Sequence, residues 1–69
     1  MDARERVGRN VQALRRQLGL SQEALADEAG IHQTYLSGLE NGRRNPSLMV
    51  LDRLAKALKV DLDALVRRA

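Results

Sequence analysis

The chain has no cysteine, tryptophan or phenylalanine, and only one tyrosine, one histidine and one proline in 69 residues. Each scarcity excludes something. Without cysteine there is no disulfide, and a single histidine cannot complete a structural zinc site. There is also no Gly-rich phosphate loop and no carboxylate cluster with metal spacing, so no enzyme, cofactor or metal is expected. No apolar run approaches the ~20 residues of a transmembrane helix. The N-terminal MDARERVGRN has no apolar region of the kind a signal peptide carries. The expectation is a cytoplasmic protein with no membrane partner.

What remains is a single small domain, residues 1–69. A domain this small buries only about 60% of its unfolded surface, so it depends on well-formed helix packing or on oligomerisation. Leucine is abundant and β-branched residues are few, which points to an all-α fold with a core of Leu, Val and Ala. Twelve Lys and Arg against nine Asp and Glu give a net charge of +3, compatible with a nucleic-acid partner without requiring one.

Apolar periodicity and caps divide the chain into five helices. Val7, Val11, Leu14 and Leu18 share one face of the first, and Gly19 ends it. Ser21 caps a short second helix that turns Leu25, Ala26 and Ala29 inward, and Gly30 stops it. The third runs from about Gln33 to Asn41, with Leu36 and Leu39 buried and Gly42 after it. Pro46 suits the first turn of a fourth helix carrying Leu48, Leu51, Leu54, Ala55 and Leu58. Asp61 caps a fifth, about 61–68, using Leu62, Leu65 and Val66.

The central stretch GIHQTYLSGLENG, residues 30–42, carries a single charge, Glu40, in an otherwise charge-rich chain. Its other polar side chains are amides, hydroxyls and one imidazole. Only Gly30, Ile31 and His32 join the second helix to the third. A three-residue turn containing glycine between short helices is helix-turn-helix geometry, here spanning about residues 21–41.

The elements GLSQEALA, the glycine turn, LENGRRNPSL and the closing LAKALKVDLDAL resemble the helix-turn-helix family of lambdoid phage repressors and Cro, the XRE family. The resemblance covers roughly Val7 to Val66. It is greatest to single-domain regulators such as restriction-modification controller proteins. It implies a five-helix, lambda-repressor-like domain whose third helix enters the major groove of double-stranded DNA.

Amides and hydroxyls both donate and accept, so they can read base edges, whereas Lys and Arg bind any nearby phosphate. On that resemblance the base-reading residues are His32, Gln33, Thr34 and Ser37. Gly38 stands where relatives often carry a further reading side chain. Ser21 and Gln22 at the start of the second helix, with Asn41, Arg43 and Arg44 after the third, are the phosphate-binding residues. Glu23, Asp27 and Glu28 are expected to face away from DNA. Arg15 and Glu40 match a structural ion pair of the family.

A dimer interface is expected at Leu62, Leu65 and Val66, through a C-terminal dimerisation helix. A homodimer on a palindromic operator would double the base contacts that one module makes. The function so implied is transcriptional regulation, in the cytoplasm at the nucleoid of a prokaryote or phage host, with no small-molecule ligand. A DNA-binding antitoxin or a protein-interaction adaptor on the same fold is the alternative.

Overall fold

A computed structural model describes residues 2–68. Five helices follow one another: α1 Ala3–Gln17, α2 Gln22–Ala29, α3 Gln33–Glu40, α4 Leu48–Leu58 and α5 Asp63–Val66. No strand occurs among the described residues. The fold is therefore all-α.

Local chemistry sets most of the boundaries. At the start of α1, Asp2 accepts from the backbone N–H groups of Arg4 and Glu5 at 2.8 and 3.1 Å. Glu5 in return accepts from the Asp2 N–H at 3.3 Å, completing a capping box. The helix ends in a Schellman arrangement, with Leu20 N–H bonded to Arg15 C=O and Gly19 N–H to Arg16 C=O. Leu18 falls at this C-cap and is 48% exposed, although its spacing from Leu14 had placed it on the buried face. The chain turns away before a fourth apolar position can face inward.

Ser21 caps α2 through its hydroxyl, which accepts from Ala24 N–H at 3.0 Å. Gly30 closes α2 in the left-handed region at φ 70°, where a Cβ would be strained. Ser47 caps α4, accepting from Val50 N–H at 3.2 Å, so Pro46 lies before the helix rather than in its first turn.

The core is leucine-rich. Val11, Leu25, Leu36, Leu39, Leu54, Leu58 and Leu65 are all buried, each contributing roughly 1.5–3 kcal/mol of transfer free energy. Leu14 and Leu51 lie at its margin, half-buried. Gly8 lets α1 touch the C-terminal half of α3. A Cβ at Gly8 would fall on the carbonyl oxygens of Leu39 and Glu40.

The fifth helix differs from its sequence expectation. It spans four residues, not 61–68, and starts after Leu62, whose side chain makes no capping bond. Asp61 contributes a backbone carbonyl to Ala64 N–H rather than a side-chain cap. So short a helix is not stable alone. It is fastened to α1 by Leu65, fully buried, and by Asn10, whose amide donates to the carbonyls of Leu65 and Arg67 at 3.0 and 2.8 Å. Leu65 therefore belongs to the monomer core and has no surface left for a dimer contact. Leu62 is partly buried against the same core, and Val66 alone of the three points outward, 44% exposed.

Candidate nucleic-acid interface

The helix-turn-helix is mounted from its buried side. Arg15 of α1 donates from Nε and Nη2 to the two carboxylate oxygens of Glu40 at 2.7 and 3.0 Å. Its Nη1 donates to Leu20 C=O at 2.8 Å. Both partners are buried, and the hydrogen bond to Glu40 raises the Arg15 pKa further above its ordinary value. The Glu40 carboxylate also accepts from Gln22 Nε2 at 3.1 Å. One buried carboxylate thus joins α1, the start of α2 and the end of α3. Sequence reading expected the ion pair but not the third partner. A glutamine at the first position of α2 was the available signal, since its side chain reaches back over the turn toward α3.

On the outer side, a concave surface of about 640 Å³ is lined by Gln22, Gln33, Thr34, Ser37, Gly38, Asn41, Arg43 and Arg44. Seven of the nine residues expected to read bases or hold phosphates meet there. Ser21 and His32 do not line it. Ser21 lies at the α2 cap, exposed, and His32 occupies the N-cap of α3 with no side-chain capping bond, also exposed. The outward amide of Gln33 and hydroxyl of Thr34 form no hydrogen bond within the described residues and stay free for a ligand. Asn41 is folded back, its amide donating to Ser37 C=O at 2.9 Å.

No acidic side chain lines the concavity. Glu23, Asp27 and Glu28 are exposed elsewhere, with Asp27 and Glu28 bordering a groove beside Arg53 and Lys56. The surface is therefore neutral at its centre and positive along one rim, an arrangement suited to a polyanion with informative edges. Among the described residues no group of His, Cys, Asp or Glu could hold a metal ion, and no helix is long and apolar enough to cross a membrane.

One participant escaped sequence reading. Tyr35, half-buried on α3, carries the Arg44 guanidinium over its ring, 5.3 Å from the centroid. Gly38 lies under the same arginine, and a Cβ there would come 3.2 Å from Arg44 Nε. Tyr35 stands one turn before the inward Leu39, which puts it on the flank of α3 between the core and the outer face. That was the only sequence signal.

Comparison with known proteins places these features in context. The helix-turn-helix family description matches residues 11–65. An uncharacterised HTH-type transcriptional regulator, y4dJ of Sinorhizobium fredii, is 52% identical over 60 residues, covering 87% of this chain and 78% of its own. The restriction-modification controller protein C.AhdI of Aeromonas hydrophila superposes with a TM-score of 0.88 at 39% identity, covering 90% of this chain and 94% of its own. The biofilm master regulator SinR of Bacillus subtilis, solved in complex with DNA, gives 0.84 at 31% identity, covering 88% and 98%.

Proposed function

This chain belongs to the helix-turn-helix family and is a DNA-binding transcriptional regulator of the XRE type, and from that premise we propose that it acts as a homodimer on a palindromic operator. The observation that carries the reading is the acid-free concavity, which gathers the free side chains of α3 beside the arginines of the loop after it. Gln33 and Thr34, at the N-terminal end of α3, reach base edges in the major groove, with His32 and Ser37 beside them. Gln33 pairs with adenine N7 and N6, and the Thr34 methyl meets a thymine methyl.

Phosphates on one side are held by Ser21 and Gln22, where the free N–H groups of α2 favour an anion. On the other side they are held by Asn41 and Arg43, with Arg44 adding to the charge of that flank. Its site of action is the cytoplasm, where its DNA lies, and it carries out no catalysis.

The dimer contact moves outward from the buried Leu65. Val66 borders a crevice with Pro46 and Leu51, and Leu48 stands one turn before Leu51 on α4. Leu48 is 66% exposed, so with Val66 it forms the apolar surface we assign to the two-fold contact. Isologous pairing there sets the two reading helices about 34 Å apart, one turn of DNA.

Selection of binding sites from random DNA, combined with sedimentation, tests the proposal. The wild-type chain is expected to enrich a palindrome and to sediment as a dimer at micromolar concentration. Val66→Asp with Leu48→Asp is expected to give a folded monomer with weak operator binding. A wild-type chain that stays monomeric well above micromolar concentration, or that enriches no sequence, overturns it.

A further inference from the structure

We propose that Arg44, a loop residue, reads a guanine from the position that Gly38 leaves open on the reading helix. The inference rests on the reading of this concavity as a DNA interface and assigns one of its contacts. Gly38 lies one turn beyond Thr34 on the outward side of α3, and both line the concavity. At this place the helix offers no side chain of its own.

The loop supplies one instead. After Asn41 the chain folds back, and Arg43 N–H bonds to the Gly38 carbonyl at 2.9 Å, fixing the loop against that turn of the helix. The next residue, Arg44, then lays its side chain across Gly38. A Cβ added at Gly38 would stand 3.2 Å from Arg44 Nε and 3.3 Å from its Cγ, so even alanine would shift the arginine by a few tenths of an ångström. Beyond that point the guanidinium rests over the Tyr35 ring at 5.3 Å, a cation–π contact that orders it on the helix surface. Among the described residues no carboxylate pairs with it.

The result is a planar, permanently charged fork held on the reading face rather than swinging from the loop. Such a fork matches the O6 and N7 acceptors of guanine with two parallel hydrogen bonds, which lysine cannot reproduce. Arg43 has the same charge but no comparable seat on α3, so the two adjacent arginines do different work: Arg43 on the backbone, Arg44 on a base. Gly38 acts as a positioning residue by leaving room.

The test uses the full chain and the operator it selects from random DNA. Affinities are measured for that operator, for its single base-pair variants and for unrelated DNA. Arg44→Ala and Arg44→Lys are expected to lose discrimination at one G·C pair by roughly 5- to 150-fold, leaving the other pairs as they were. Gly38→Ala is expected to weaken discrimination at that same pair, by less than Arg44→Ala does, although Arg44 is still present. The double variant Gly38→Ala, Arg44→Ala should be no worse there than Arg44→Ala alone. Alanine favours a helix interior over glycine, so loss of folding does not confound the Gly38 variant, and circular dichroism checks this.

If Arg44→Ala weakens binding equally on every sequence, lowers the salt slope by about one and is rescued by lysine, Arg44 is a phosphate contact and the proposal fails. If Gly38→Ala keeps full discrimination at the G·C pair, the role of the vacant position fails. A wild-type chain that selects no sequence at all removes the DNA-interface reading beneath both.

Discussion

Helices α3 and α5 are both short, and both lie on α1, but their side chains are used in opposite ways. Along α3, the C-terminal half is held by buried Leu39, by the Arg15–Glu40 pair and by the close approach of Gly8. Its N-terminal half keeps Gln33 and Thr34 exposed, with no side-chain hydrogen bond among the described residues. Along α5, Leu65 and the carbonyls at its end are consumed in fastening the helix to α1, and Val66 is the one apolar side chain left over. Of the two helices, α3 is thus the one with polar side chains the fold does not use, and the proposed function assigns recognition to them. The fifth helix mainly closes the core, and any pairing with a second copy has to use what α4 adds beside it.

The contrast can be broken most strongly at its anchors. Replacing Arg15 with Ala leaves the Glu40 carboxylate buried without its cation, and a loss of about 3–5 kcal/mol of stability is expected in urea unfolding. A loss below 1 kcal/mol would mean that packing alone holds α3. Leu65→Ala should cost about 2–5 kcal/mol, since a fully buried leucine is truncated. Were Leu65 instead a dimer contact, the cost would fall mainly on the dimer and would depend on protein concentration, a difference that thermal melts over a concentration series detect.

On the outer face of α3 the expectation inverts. Gln33→Ala should leave stability within about 0.5 kcal/mol of wild type, yet cost about 1–3 kcal/mol on the preferred operator, at one base pair. Arg43→Ala should weaken specific and random DNA alike, and lower the slope of log affinity against log salt by about one for each half of the proposed dimer. A Gln33 loss shared by all sequences, or an unchanged slope without Arg43, would erase the division between reading and holding.

The smallest effect belongs to the cap of α1, on which both helices rest. Hydrogen bonds from the Glu5 N–H and the Arg4 side chain hold the Asp2 carboxyl below its ordinary value of 3.8. A depressed carboxyl stabilises the fold above its unfolded pKa, and that contribution fades as pH falls through the folded value. Asp2→Asn should therefore melt slightly below wild type at pH 7 and together with it at pH 2. A gap that persists in acid would assign the cap's effect to hydrogen bonding rather than charge.

How far the sequence revealed this arrangement depended on helix length and on locality. The period of α1, the Ser21 cap and the Gly30 turn are set within a few residues, and they were legible. So was the inward pair Leu36 and Leu39. In α5 four residues make barely one turn, so period cannot tell an inward Leu65 from an outward Val66, and the choice fell to Asn10, 55 positions away from Leu65. Leu18 misled for a related reason: its spacing was right, but the helix stopped beneath it. Within the interface, residue types identified the polar face of α3. The seat of Arg44 depends on the backbone bond from Arg43 to Gly38 and on the tyrosine ring, contacts between loop and helix that no spacing rule encodes.

The close approach at Gly8 bears on how such a protein changes over generations. Because α1 meets the Leu39 and Glu40 carbonyls directly, part of the seat of α3 is built from backbone atoms, and the exposed Gln33 and Thr34 take no part in it. A lineage that exchanges Gln33 or Thr34 sacrifices no packing and no internal hydrogen bond, so each intermediate still folds. Under the proposed function, new operator preferences are thus reachable by single steps through viable sequences. Position 8 has no such latitude: a side chain there would meet the α3 backbone and push the helix from its seat, and selection on folding would remove it before its effect on binding could be tried.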